Sequence, residues 1–104
     1  MALLGDWSPA AAPGDEFIIS GSISLRLGTD TISAVTGSIA VYQGVDSNAA
    51  ALALAPAAFN GSTVSQLVGG SWIATVVYRW AFTVTTAGGQ TLEFWAHIPT
   101  VAIT

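Results

Sequence analysis

Several residue types are absent or rare in this chain of 104 residues. The absence of cysteine excludes disulfide bonds, thiolate metal sites and a thiol nucleophile. A single histidine, His97, excludes a metal cage built from several histidines. We therefore expect neither a metal ion nor another cofactor.

Charge is also scarce. Charged residues make up 8% of the chain, and six acids against two arginines, with no lysine, give a formal net charge of −4. So few cations cannot neutralise a phosphate backbone, and nucleic acid is not expected as a partner. The longest apolar run, Ala49 to Ala55, falls well short of the roughly 18 residues that a membrane helix needs, so no membrane partner is expected. Nor does the N-terminus carry the basic region of a secretory signal.

What the chain does contain is apolar. Hydrophobic residues make up 52%, which excludes intrinsic disorder and a charge-laced coiled coil. The length fits a single domain. Pro9 and the Pro13-Gly14 pair, followed by two acids, are typical of an extended segment and a turn. We expect an extended N-terminal arm over residues 1–15 and one folded domain over residues 16–104.

Short strands are predicted along most of that domain, because apolar and polar residues alternate or β-branched residues cluster between turn signals. The predicted strands are Phe17–Leu27, Thr31–Thr36, Ser38–Gln43 and Thr63–Val68. Gly37 separates the second from the third, and the last lies between an Asn60-Gly61 turn and a Gly69-Gly70 corner. Asp46 to Pro56 favours either a short helix, capped by Asp46 or Ser47, or a loop.

The clearest pattern is a hairpin near the C-terminus. Residues 76–85 and 91–98 both alternate, and apolar residues face each other when Val84 lies opposite Leu92 and Phe82 opposite Phe94. This register leaves Ala87 to Gly89 as a three-residue loop in which Gly89, and not Gly88, needs a positive φ. We therefore expect Gly88 to tolerate alanine and Gly89 not to tolerate a β-branched residue.

Together these elements predict an all-β protein, an immunoglobulin-like antiparallel β-sandwich of about seven strands, with a small barrel as the alternative. Without a disulfide, the core must rest on apolar packing. Its predicted members are Phe17, Ile19, Tyr78, Trp80, Phe82, Phe94 and Ile98.

Catalytic groups are poorly represented. No window matches the G-x-S-x-G nucleophile elbow. His97 falls on the outward side of the hairpin with Glu93, opposite Arg79, which indicates a polar surface cluster. Asp15 and Glu16 are adjacent on an extended chain and point to opposite sides, so they cannot work as a carboxylate pair. We expect a protein that is not an enzyme, with no catalytic residues.

The tryptophans are the better indication of a contact surface. Trp95 falls on the outward side with Val77 and Ala81 as cross-strand neighbours, and large outward apolar groups tend to mark interfaces. Trp72 at the glycine corner and Trp7 in the arm have no obvious place in so small a core. The predicted partner-interface residues are Trp7, Trp72, Val77, Ala81 and Trp95.

Several stretches, taken in order, resemble a family of small immunoglobulin-like virion proteins of tailed bacteriophages, the fiber-tail adaptor proteins. They are Pro13-Gly14-Asp15-Glu16, the Asp46-Ser47-Asn48-Ala49 loop, Asn60 to Gly70, Tyr78, Thr83 to Leu92 and Ile98-Pro99. The resemblance covers residues 13–101.

The resemblance implies an architectural role without catalysis. It predicts a virion protein of the neck or tail, made in the host cytoplasm, that joins fibers to the connector or tail. The expected partners are copies of the same chain and other phage structural proteins. Two alternatives stay open: a capsid decoration or cement protein, and a carbohydrate-binding module that would use Trp95 or Trp72 as a stacking platform.

Overall fold

The computed structural model describes the backbone of residues 2–6 and the whole of residues 10–101. The elements in chain order are β1 (Ala2–Asp6), β2 (Glu16–Ser22), the helical turn α1 (Ser24–Leu27), β3 (Ile32–Gln43), a 3₁₀ helix (Ala49–Leu52), β4 (Ala58–Asn60), β5 (Thr63–Gly69), β6 (Val77–Thr86) and β7 (Thr91–Ile98).

Two sheets form the sandwich. The first has the strand order β1-β7-β6-β3 and the second the order β2-β5-β4. With β1 to β7 taken as strands A to G, these are the G-F-C and B-E-D sheets of the immunoglobulin arrangement. All neighbours pair antiparallel except β1, which runs parallel to β7. The predicted all-β, immunoglobulin-like antiparallel sandwich is confirmed, with six antiparallel strands and one parallel edge strand.

The N-terminal segment lies along the first sheet. β1 pairs with β7, and Ala11 forms a parallel bridge with Thr100. A turn then follows in which Asp15 N–H donates to Ala12 C=O at 3.0 Å and Gly14 has a φ of +92°. The backbone at Ala11 is hydrogen-bonded to the sheet. The turn after it forms because Pro13 and Gly14 suit its two central positions.

The core lies between the two sheets. Its largest fully buried side chains are Trp72, Trp80, Tyr78, Phe82, Phe94, Ile19 and Ile98. The predicted core residues are therefore confirmed, except that Phe17 is only partly buried and packs against the edge of the core. Gln66 and Thr86 are the buried polar residues of the described chain, and Gln66 accepts a 2.9 Å hydrogen bond from Trp80 Nε1 and donates one of 2.8 Å to Ala55 C=O. These hydrogen bonds offset the cost of burying the Gln66 amide, and the one to Trp80 joins the two sheets.

The β6–β7 hairpin has the predicted register, with Phe82 opposite Phe94 and Val84 opposite Leu92. Gly89 has a φ of +87°, as the three-residue loop requires. Gly88 has no positive φ, but a Cβ there would lie 2.7 Å from Asp30 Oδ2, so the expected tolerance of alanine requires the Asp30 carboxylate to move. Asp30 Oδ1 accepts the N–H groups of Gly88 and Thr31, and so fastens the loop to the start of β3.

The predicted strand Phe17–Leu27 is too long. β2 ends at Ser22, and residues 24–27 form a helical turn instead. Ile23 donates its N–H to Ser62 C=O, after which the chain turns so that Ile23 and Leu27 are buried at helical spacing. Leu25, which alternation placed inside, is 98% exposed.

Residues 31–43 also differ from the prediction. Residues 32–43 form one continuous strand, β3, and Gly37 does not break it. At Gly37 the strand passes close to the second sheet, and a Cβ would overlap the amide of Gln66. Glycine is therefore needed for the close approach of the sheets and not for a turn. Of the two alternatives for Asp46 to Pro56, the short helix is present as one 3₁₀ turn, Ala49–Leu52.

Candidate interaction surface

The outward side of the four-stranded sheet carries the residues that sequence alternation predicted for a contact surface. We call this side the outer face. Its members from β3, β6 and β7 are Ala34, Thr36, Ser38, Ala40, Tyr42, Val77, Arg79, Ala81, Thr83, Thr85, Thr91, Glu93, Trp95 and His97. Most of these side chains are small, so the large ones stand out from a low surface.

The large side chains of the outer face gather at one end of it. The Tyr42 and His97 rings lie with centroids 4.0 Å apart, and the Trp95 and His97 rings 4.7 Å apart in an edge-on arrangement. Tyr42 also lies 5.8 Å from Trp95, so rings from β3 and β7 meet in one group. We call Tyr42, Trp95 and His97, together with Arg79, the aromatic cluster.

Pairing of the strands explains how the cluster forms. Arg79 lies directly opposite His97, and Ala81 directly opposite Trp95. Because Ala81 is small, the indole can lie down over β6, where it meets the Arg79 guanidinium at 5.8 Å. Tyr42 reaches across the same strand from β3. This arrangement places the cation of Arg79 in a cation–π contact within an aromatic group.

The aromatic cluster is partly accessible. Tyr42 is 47% exposed, and Arg79, Trp95 and His97 are half-buried. The Nε atom of Arg79 is buried and has no hydrogen-bond partner among residues 10–101. The guanidinium contacts the indole face, and its remaining N–H groups are polar donors beside the aromatic rings.

The predicted interface residues lie in different parts of the structure. Val77, Ala81 and Trp95 lie on the outer face, as their alternation indicated. Trp7 lies outside the described residues. Tyr42 was missed, since only the pairing of β3 with β6 brings it to the hairpin. No local pattern around Tyr42 announces this neighbour.

The expectation that Trp72 lies outside the core is wrong. Its side chain is 2% exposed, and the indole N–H donates a 2.8 Å hydrogen bond to Asp15 C=O. The ring stacks on Phe17 at 5.7 Å and meets the edge of Tyr78 at 5.1 Å. The large indole covers the end of the core next to Gly69 and Gly70, which have no side chains to cover it. Trp72 is therefore unavailable as a stacking platform.

Beneath Trp72, the Tyr78 hydroxyl forms a corner with the loops. It donates to Asp46 Oδ2 at 2.6 Å and accepts the N–H of Ile73 at 3.0 Å. Burial, helped by the hydrogen bond to Asp46, raises the pKa of Tyr78 to about 12. This resembles the tyrosine corner of immunoglobulin domains, in which a tyrosine near the start of strand F bonds to upstream backbone. It fixes the loops at this end of the sandwich.

The described residues contain no metal cluster and no membrane-spanning helix. Within the described part of the chain, no three metal-ligating side chains come together. The described helices are all too short to cross a membrane. No protein-family model, curated protein or solved structure matches this chain. The outer face and its aromatic cluster are thus the features on which a functional argument can be built.

Proposed function

We propose that this chain is a non-enzymatic structural protein that binds neighbouring proteins of an assembly through its outer face. The observation that carries the proposal is the aromatic cluster at the end of a low sheet surface with few charged residues. Aromatic side chains and arginine are enriched where interfaces gain most of their binding energy. The small residues around them allow another flat surface to approach closely.

The composition agrees with this role. A chain with 8% charged residues has little charge with which to keep neighbours away, and its aromatic surface gains free energy when a partner covers it. On the resemblance to fiber-tail adaptor proteins, we place the assembly in the neck or tail of a tailed bacteriophage, where the chain joins fibers to the connector or tail. A capsid decoration protein would use the same surface at many more sites.

Glycan binding is the weaker alternative. A sugar ring stacks on an open aromatic face, whereas Trp95 is half-buried and presents itself edge-on to His97. Trp72, the other candidate platform, lies in the core. We therefore favour a protein partner, and glycan binding by the isolated domain is an outcome that would overturn this choice.

The test is genetic complementation of a phage that lacks the gene, followed by mass spectrometry of purified particles. The native chain should be present in a small fixed number of copies, and Trp95→Ser should lower its incorporation at least tenfold. Thr85→Ala, on the same face but away from the aromatic cluster, is the control and should incorporate normally. Absence of the native chain from particles, or normal incorporation of Trp95→Ser, contradicts the proposal. Many copies per particle would favour the decoration protein.

A further inference from the structure

A cavity of about 300 Å³ opens at the end of the sandwich that carries the glycine corner. Its lining includes Leu52, Leu54, Ile73, Gly69 and Asp46. The volume is at the lower end of the range for small-ligand pockets, which suits a single aliphatic side chain. Leu54 and Ile73 in its wall are each 43% exposed.

The apolar surface continues outside the cavity. Ile18 on β2 lies directly opposite Leu67 on β5, and Leu54 N–H donates to Leu67 C=O from the other side. The three side chains are 62%, 40% and 43% exposed, in the order Ile18, Leu67 and Leu54. An aliphatic row across three chain segments is more than scattered surface apolarity, and it marks a contact site.

The charges around this cavity have one sign. Asp46 is in its lining, and Glu16 lies opposite Gly69 at its edge. Neither arginine lines the cavity: Arg79 lies over Trp95, and Arg26 lies on α1, 5.8 Å from the Phe94 ring. An apolar cavity with a negative rim selects an occupant that combines an aliphatic side chain with a neighbouring cation.

An aliphatic side chain next to a cation occurs at the opposite end of the sandwich. β2 begins beside Gly69 and ends beside Thr63, so the helical turn α1 that follows lies at the opposite end of the second sheet. There Leu25 is 98% exposed, the most exposed of the large hydrophobic residues described. Arg26 follows it directly and is also exposed.

We propose that copies of this chain associate head to tail, with Leu25 of one copy in the cavity of the next and Arg26 beside the Asp46 and Glu16 carboxylates. Because the two complementary surfaces differ and lie at opposite ends, the contact is heterologous and produces a ring or a filament. This inference goes beyond the proposed function, since it uses neither the outer face nor a foreign partner.

Sedimentation velocity of the purified chain over a wide concentration range tests the proposal. The native chain should form species larger than a dimer, whereas Leu25→Glu and Ile73→Glu should each remain monomeric while keeping the native circular dichroism spectrum. Leu54→Glu gives a second cavity variant in case Ile73→Glu does not fold. Ser20→Glu adds the same charge to the second sheet between the two ends, and as the matched control it should associate like the native chain.

Mixing the variants gives the sharper result. Leu25→Glu keeps an intact cavity and Ile73→Glu keeps an intact Leu25, so an equimolar mixture should form 1:1 dimers and nothing larger. Failure of the mixture to dimerise, or association of Leu25→Glu alone, would overturn the proposal, and so would a native chain that stays monomeric throughout. Trp95→Ser should associate head to tail normally, which separates this proposal from the proposed function.

The charge contribution can be tested in the same experiment. Arg26→Glu should weaken association about tenfold, and combining it with Glu16→Arg in the same chain should restore a large part of the loss. Unchanged association of Arg26→Glu would overturn the role given to the negative rim.

Discussion

The two sides of the β6–β7 hairpin are built from alternate residues of the same strands, yet they differ in how far their side chains are buried. The inner side, with Trp80, Phe82 and Phe94, is fully buried by the second sheet. On the outer side, the Arg79, Trp95 and His97 side chains contact one another and Tyr42, and none of them is fully buried. The inner side has no surface left for a partner, whereas the outer side keeps aromatic surface that another molecule can cover.

This difference shows that the number of tryptophans alone does not identify an interface. Trp72 and Trp80 are buried with hydrogen-bonded indole N–H groups, to Asp15 C=O and Gln66 Oε1 respectively. Trp95 is held by ring contacts and a cation instead. A tryptophan of the core should thus control stability, and a tryptophan of the outer face should control assembly.

The largest expected effect is that of Trp80→Ala. Loss of a fully buried indole costs about 3 to 5 kcal/mol, a large part of the stability of a small domain. The change also leaves Gln66 Oε1 without its donor. The same substitution at Trp95 is the matched control and should cost much less. The free energy of unfolding from urea titration measures both. Equal losses at the two positions would abolish the distinction between the sides of the hairpin.

Gly89→Val should have the next largest effect. Gly89 adopts a φ of +87°, and a β-branched residue in that conformation costs about 1 to 3 kcal/mol. Gly88→Ala should give a smaller loss, because its Cβ displaces the Asp30 carboxylate without straining the backbone. Melting temperatures of the two variants and the parent give the ranking. An unchanged melting temperature for Gly89→Val would show that the hairpin loop is wrongly described.

Tyr78→Phe tests the polar end of the inner side. Removing the hydroxyl leaves the Ile73 N–H without its acceptor, at a cost of about 1 to 3 kcal/mol.

The pH dependence sharpens this test. Burial raises the folded-state pKa of Tyr78 from 10.0 to about 12, so the unfolded chain loses its proton first. The stabilisation is complete below pH 10 and is lost as pH rises from about 10 through 12. Unfolding titrations across this range should show a falling stability in the native chain and a flatter profile in Tyr78→Phe. Parallel profiles would contradict the role of the hydroxyl.

The smallest effect on stability is expected for Tyr42→Ser. The side chain is 47% exposed, and its ring contacts contribute about 1 kcal/mol. Incorporation into the assembly should nevertheless fall strongly, because the cluster loses its most accessible ring. Tyr42→Phe keeps the ring and should incorporate like the native chain. Normal incorporation of Tyr42→Ser would remove Tyr42 from the proposed contact.

Local pattern was sufficient for part of this structure. The hairpin register followed from alternation and from a loop that needs one positive φ at Gly89, and both features lie within a short stretch of chain. The inward placement of Trp80 and the outward placement of Trp95 followed from the same register.

The remainder depends on contacts between distant residues. Leu25 continues the alternation of β2, but the bond from Ile23 to Ser62 redirects the chain before it. Trp72 is buried because Phe17 and Asp15 come beside it from the start of the domain. Tyr42 joins the aromatic cluster only through the β3–β6 pairing. None of these neighbours is visible in a local window of sequence.

The central claim is that the outer face is covered in the assembly while the core is not involved. Hydroxyl-radical footprinting tests it directly, by comparing the labelling of Tyr42 and Trp95 in intact particles with that in the isolated chain. Phe59, which is 41% exposed on the second sheet, serves as the reference. If the outer face is covered, labelling of Tyr42 and Trp95 should fall several-fold in the particle relative to labelling of Phe59. Equal labelling of both rings in the particle and in the isolated chain would contradict it.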